Sequence, residues 1–251
     1  MEILITNDDS INAPGLRALI DCASGMGNIT VVAPLYPQSA QSSALTVDKP
    51  LRIAEHGEYK GARLFSVNGT PVDCVKLALH ALFPKAPDLL LSGINHGSNS
   101  AANIVYSGTM GAVLEGCMNG IQSVGFSLLH HSLKADFTLS QSYVTEIIAS
   151  TIQNPLPSGI ALNVNIPAKV VPEGVRVCRA AKGYWTDEYE KYSDPIGRDF
   201  YMLSGKFVDE EPGATDTDEY YLRHNYISVV PVTPDMTAAH EIVGMEKIYK
   251  R

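Results

Sequence analysis

The sequence predicts an α/β fold: a mainly parallel sheet with helices on both faces, followed by a carboxyl-terminal β-hairpin extension. Three observations carry this expectation. Apolar runs of strand length alternate with helical patterns in repeated strand-helix-strand order, which gives parallel strands with helices packed on the sheet. The first run, Ile3-Leu4-Ile5, reads as a buried strand. The chain has 251 residues, 45% of them hydrophobic, and a mean hydropathy near zero, so it can bury one full core.

Taken in order, a strand at 2–6 passes through Asn7-Asp8-Asp9-Ser10 to a helix at 14–24 and a strand at 29–33. A strand at 63–67 precedes a helix at 71–82. Thr70 as cap, Pro71 at the first helical position and Asp73 in the first turn mark that start. A strand at 88–92 follows, then a helix at 108–119, a strand at 123–127, a helix at 136–152 and a strand at 160–166. Residues 1–167 are expected to form the core. Beyond Pro167 the texture changes to short β-like stretches, many tyrosines and an acidic loop around 209–219. A hairpin is expected from 185–192 through Pro195-Ile196-Gly197 into 200–203. Residues 168–251 are read as an extension of the same single-domain protein. Trp185 and its neighbouring tyrosines read as packing for the hairpin or for a subunit contact rather than as a base-stacking platform.

The formal net charge of -8 argues against broad attachment to nucleic acid or an anionic membrane surface. Cys22, Cys74, Cys117 and Cys178 form no CxxC or His/Cys cluster, so buried free thiols in a reducing cytoplasm are expected. The amino terminus has no basic leader, because Asn7, Asp8 and Asp9 interrupt the apolar run. Residues 89–114 lack charge but are too rich in Gly, Ser and Asn for a membrane helix. The reading is a soluble cytoplasmic protein.

The chemistry concentrates at predicted strand ends. In open α/β sheets ligands gather beyond the carboxyl ends of the strands, and Asp8-Asp9 falls there. Two adjacent carboxylates repel each other unless a divalent cation, which prefers oxygen ligands, answers them. A solvated loop or helix cap is the alternative for the pair alone. Parallel topology brings the loops at 7–10, 34–43, 68–71 and 92–97 to one edge, where Ser39 and Asn95 could complete an oxygen-rich shell. Ser107, Gly108 and Thr109 open a helix, so their amides and hydroxyls could cradle phosphate oxygens, or serve only as a cap. His96 is a candidate to protonate a leaving alkoxide, with a surface loop position as its alternative. His130-His131 is expected to face solvent.

Taken together, four segments resemble the SurE family of survival-protein nucleotidases: ILITNDDSINAPG at 3–15, VVAPLYPQSAQSSALT at 31–46, NGTPVDCVKLAL at 68–79 and LSGINHGSNSAANIVYSGTMGAVLEG at 91–116. The resemblance implies a Rossmann-like core and a metal-dependent phosphomonoesterase that converts nucleoside 5′-monophosphates, and 3′-monophosphates, to nucleoside and inorganic phosphate. It implies one divalent ion, Mg or Mn, at Asp8, Asp9, Ser39 and Asn95. It also implies a homodimer or homotetramer assembled through exchanged carboxyl-terminal elements. Asp8, Asp9 and Asn95 are the expected catalytic residues, and Ser39, Asn95, Ser107, Gly108 and Thr109 the expected substrate contacts. Ser10 stands where the family usually has Gly, which points to ordinary backbone angles there. Ser-Ala-Ala-Asn at 100–103 replaces a pattern containing Gly and Asp, which leaves that loop's shape and a supporting carboxylate open.

Two other classes compete. A phosphorylated signalling receiver also begins with a strand and an acidic pair, but its acceptor Asp would fall at Gly93, and no carboxylate occurs from Leu89 to Leu114. A nucleotide-binding regulatory protein without turnover is the second, and an assay with added metal separates it from an enzyme.

Overall fold

The computed structural model describes residues 1–132 and 134–249; the last two residues of the expected extension lie outside the described residues. The chain runs β1 (Glu2–Thr6), α1 (Pro14–Ala23), β2 (Asn28–Pro34), β3 (Ile53–Tyr59), β4 (Ala62–Val67), α2 (Pro71–Ala81), β5 (Leu89–His96), α3 (Asn103–Tyr106), α4 (Gly108–Met118) and β6 (Gln122–Leu128). It continues with α5 (Gln141–Gln153), β7 (Ala161–Ile166), β8 (Val175–Val177), β9 (Gly183–Thr186), β10 (Tyr189–Ser193), β11 (Asp199–Leu203), β12 (Lys206–Asp209), α6 (Asp218–Arg223), β13 (Ile227–Val232) and α7 (Ile242–Tyr249).

Nine strands form one sheet in the order β3-β4-β2-β1-β5-β6-β7-β13-β8. From β4 through β2, β1, β5 and β6 to β7 the strands run parallel to one another. Alternation along β1 sorts its side chains to two helix layers. Ile3 and Ile5 join a core with Leu16, Leu19 and Ile20 of α1 and Val144 and Ile148 of α5. Leu4 joins the opposite core with Cys74 and Val75 of α2 and Met110 and Val113 of α4. Burying each such aliphatic side chain stabilises the fold by roughly 1.5–3 kcal/mol.

Several elements differ from the sequence reading for identifiable reasons. β3 carries Glu55, His56 and Glu58 on an exposed, antiparallel edge strand, so it lacks the apolar run that marks a buried one. α5 starts at Gln141 rather than 136, because Asp136 Oδ1 accepts from both the backbone N–H and the hydroxyl of Thr138 and holds a turn there. The sheet continues beyond Ile166: β13 returns antiparallel to β7 and carries β8 beside it. The expected hairpin forms through Pro195-Ile196-Gly197, but its first strand starts at 189 rather than 185, because the chain turns at Asp187, whose φ is 51°. β9 pairs with β12 and β10 with β11, giving two short ribbons. Cys22, Cys74 and Cys117 are buried, and all four cysteines are free. No described helix is long and apolar enough to cross a membrane.

The chain leaves β1 toward β2 and β4 on one side and resumes at β5 on the other. The strand order therefore reverses beside β1, and a crevice opens outside the carboxyl ends of β1 and β5.

Candidate active site

Residues from each loop at that crevice are tied to one another. The Gln38 N–H donates to the Asp8 carbonyl at 2.7 Å, drawing the loop after β2 against the end of β1. The Ser42 N–H donates to the Tyr106 carbonyl at 3.0 Å, and the Ser42 hydroxyl to that of Val105 at 2.7 Å. Asn95 Nδ2 donates to the Gly97 carbonyl at 3.0 Å, leaving the amide oxygen uncommitted by that bond. The result is a cleft of about 510 Å³ lined by Asp8, Asp9, Ser39, Asn95, His96 and Ser107, together with His131, Tyr106, Trp185, Phe207 and Glu219.

Asp8 is 5% exposed. Burial, reinforced by repulsion from Asp9, pushes its carboxyl up to about 6 against the pull of hydrogen bonds from Thr109. Thr109 Oγ1 donates to Asp8 Oδ1 at 2.7 Å. Asp9 Oδ2 accepts from the His96 N–H at 3.1 Å and from His96 Nδ1 at 2.8 Å. The His96 side chain is only 3% exposed, lies edge-on to Phe137, and has no hydrogen-bond partner for its buried Nε2.

Asp8, Asp9, Ser39, Asn95 and Ser107 thus share one cleft, whereas Gly108 and Thr109 are packed beside Asp8. Thr109 is fully buried, with its hydroxyl on Asp8. A Cβ at Gly108 would meet Asp8 Cβ at 3.0 Å and Oδ2 at 3.1 Å, so a small residue is needed for the helix to approach the carboxylate. The Ser107 hydroxyl accepts from the Met110 N–H at 3.1 Å and caps α4. Thr70 and Asp73 form a complete capping box at α2. Of the His130-His131 pair, expected to face solvent, His130 is half-buried, whereas His131 is exposed and also lines the cleft. Its position just beyond β6, beside the switch-point strands, is the sequence signal that could have found it. Glu219, Trp185 and Phe207 arrive from distant parts of the chain, and local sequence carries no such signal for them.

The donor set fits a hard divalent cation. Among the described residues no three His, Cys, Asp or Glu side chains converge as a metal cluster; the set is instead two carboxylates with a hydroxyl and an amide. No Lys or Arg is among the described residues lining the cleft, so two adjacent carboxylates, one of them buried, have no fixed positive partner. Oxygen ligands and uncompensated negative charge are the conditions that favour Mg²⁺ or a similar ion.

Residues 3–187 match the family described as Survival protein SurE. The chain belongs to the SurE family. It is 48% identical over 241 residues to a protein of Flavobacterium johnsoniae named 5′-nucleotidase SurE, covering 95% of this chain and 93% of that one. A protein of the same name from Phocaeicola vulgatus is 44% identical over 236 residues, covering 94% and 92%. The crystal structure of the SurE protein from Aquifex aeolicus is similar with a TM-score of 0.84 and 31% identity over 99% of both chains.

The two departures from the SurE pattern have structural outcomes. Ser10 does not keep ordinary angles: its φ is 93°, and the Asn7 side chain holds the turn by donating to the Ser10 carbonyl at 2.9 Å. At 100–103 the loop is fastened to α6. Asp218 Oδ2 accepts from the Ala101 N–H at 2.8 Å, and the Ser100 hydroxyl donates to Glu219. In this SurE chain Glu219 thereby brings a carboxylate to the cleft wall from α6.

Proposed function

We propose that the protein is a divalent-metal-dependent phosphomonoesterase hydrolysing nucleoside 5′-monophosphates, and also 3′-monophosphates, to nucleoside and inorganic phosphate. The observation that carries this reading is the meeting of Asp8, Asp9, Ser39, Asn95 and Ser107 in one cleft whose described lining has no Lys or Arg. It is supported by relatives named 5′-nucleotidase SurE that match over more than nine-tenths of both lengths.

Asp8, Asp9, Ser39 and Asn95 would hold one Mg or Mn ion through oxygen atoms. Bound there, the ion supplies Lewis-acid polarisation of the phosphoryl group and a lowered pKa for water. Asp9, aimed by His96, orients the attacking water. Ser107 and the Gly108 N–H at the start of α4 stabilise charge on the phosphoryl oxygens, where the helix dipole favours an anion. Thr109 acts through Asp8, to which its hydroxyl is committed. His96 is too enclosed to reach a leaving group, and in this reading the exposed imidazole of His131 protonates the departing alkoxide.

The same reading places the enzyme in the cytoplasm as a homodimer or homotetramer. Four free cysteines support a reducing compartment. The β10–β11 ribbon supports association: Tyr192, Phe200, Tyr201 and Met202 are all exposed on it, and an isolated two-stranded ribbon is marginal in water.

Phosphate release from a panel of nucleoside monophosphates and simple esters, with Mg, with Mn and with chelator, tests the function. Release from nucleotides that requires added metal is expected. Undiminished turnover in chelator removes the metal, and no turnover of any nucleoside monophosphate removes the nucleotidase.

A further inference from the structure

A second cavity of about 410 Å³ adjoins the cleft. Its lining includes Ala40, Asn103, Tyr106, Trp185, Tyr189 and Leu203 beside the polar Glu188 and Ser204, and the first four of these also line the cleft that holds Asp8 and Asp9. The two cavities are thus neighbours along two separate loops: Ala40 follows Ser39, and Tyr106 precedes Ser107. Consecutive Cα atoms are about 3.8 Å apart, so a ligand phosphate at Ser39 and Ser107 lies one residue from the second cavity on both sides.

The lining suits a flat, partly apolar ring system. Tyr106 is 57% exposed, Tyr189 67% and Leu203 66%, which leaves aromatic and aliphatic surface open to a ligand. Trp185 is held in place: Nε1 donates to Asn103 Oδ1 at 2.8 Å, and the indole makes an edge contact with Phe207, the ring centroids 6.1 Å apart. With its oxygen engaged by the indole, Asn103 keeps amide N–H donors for a ring nitrogen or carbonyl. The volume falls within the roughly 300–1,000 Å³ of small-molecule pockets.

We propose that this second cavity binds the nucleobase of the substrate, against an aromatic wall formed by Tyr106, Trp185 and Tyr189. The proposal rests on the nucleotidase reading for the identity of its ligand. Base-aromatic stacking tolerates every base because each has a π-face, so the subsite accepts purine and pyrimidine nucleotides alike and favours nucleotides over phosphate esters without a ring. Trp185, read from the sequence as hairpin packing, does pack on Phe207 in the β9–β12 ribbon and in addition lines both cavities.

The chain contains one tryptophan, so intrinsic indole fluorescence reports on Trp185 directly. The experiment titrates the full chain with adenosine and with ribose 5-phosphate, and repeats both with Tyr189→Ala. In parallel it measures hydrolysis of adenosine 5′-monophosphate and glycerol 2-phosphate. Adenosine is expected to change the emission saturably and ribose 5-phosphate to leave it unchanged. Tyr189→Ala is expected to weaken adenosine binding by about 5- to 150-fold, the range of one lost stacking contact. It should raise KM for the nucleotide in step while leaving glycerol 2-phosphate turnover within about twofold. An emission unmoved by adenosine, with nucleotide hydrolysis intact, overturns the subsite, as does a Tyr189→Ala effect equal on both substrates. Saturable binding of adenosine without hydrolysis of any nucleoside monophosphate leaves the subsite standing and overturns the nucleotidase.

Discussion

His96 grips Asp9 twice at one oxygen, with the backbone N–H at 3.1 Å from Oδ2 and ring Nδ1 at 2.8 Å. The bonds link the end of β5 to the end of β1 across the switch point, and the buried imidazole, held edge-on to Phe137, cannot swing away. A carboxylate fixed by a second group is better arranged as a metal ligand than one that must be ordered on binding.

Replacing His96 with Ala should therefore raise the metal concentration for half-maximal activity by about 10- to 100-fold. His96→Asn, whose amide can stand in for Nδ1–H, should recover most of the loss. Equal metal dependence in wild type and His96→Ala would show that Asp9 needs no such support.

Asp8→Asn and Asp9→Asn each remove a charged ligand with little change in volume. Turnover should fall by several orders of magnitude in each, while circular dichroism and melting temperature remain close to wild type. Near-normal activity of both at limiting metal would rule out the proposed site.

The raised Asp8 carboxyl gives a pH dependence with a definite sign. A group lifted from 3.8 to about 6 binds its proton more tightly in the folded than in the unfolded chain. The metal-free protein should thus lose stability as pH rises through that window. Metal binding has the opposite slope, because the ion competes with the proton: affinity should climb up to about pH 6 and level off above it. Thr109→Val removes a hydrogen bond that favours the carboxylate, so the midpoint should move upward. Calorimetric titration across the range reads both midpoints, and an unchanged midpoint in Thr109→Val would sink the assignment.

Gly108→Val inserts a branched side chain where even a Cβ meets Asp8 at 3.0 Å and Pro71 at 3.2 Å. Overpacking of this kind costs about 1–3 kcal/mol of stability. The larger effect should appear in kcat and metal affinity through displacement of Asp8. Wild-type kinetics at saturating metal would return this turn to a purely structural cap.

His131 as proton donor predicts a split between substrates. His131→Asn should slow hydrolysis of nucleoside monophosphates by about 10²- to 10⁴-fold and leave p-nitrophenyl phosphate nearly unaffected, because that leaving group departs without protonation. Equal losses on both substrates would refute the role.

Tyr192 and Phe200 stack across the exposed β10–β11 ribbon at 5.7 Å between ring centroids. Light scattering should find at least a dimer at micromolar concentration, and the pair Tyr192→Ser with Phe200→Ser should weaken association without unfolding the core. A monomeric intact chain would dismiss this surface as the contact.

The sequence by itself determined the strand-helix order through Ile166, the cap at Thr70, and the strand-end placement of Asp8 and Asp9. Each is a local property, set by an apolar run, a capping pattern or a Pro at a helix start. β3 escaped because an exposed edge strand needs no apolar run. β13 and β8 escaped because pairing with β7 depends on which distant strand is free to accept them. Only the tertiary structure decided that Thr109 serves Asp8, that His96 is enclosed, and that Glu219 and Trp185 reach the cleft. Ser100 and Glu219 are separated by 119 positions, and Asn103 and Trp185 by 82. Periodicity shows which face of an element is buried, but not which remote segment covers it, so a site wall assembled across such separations emerges only when the chain has closed on itself.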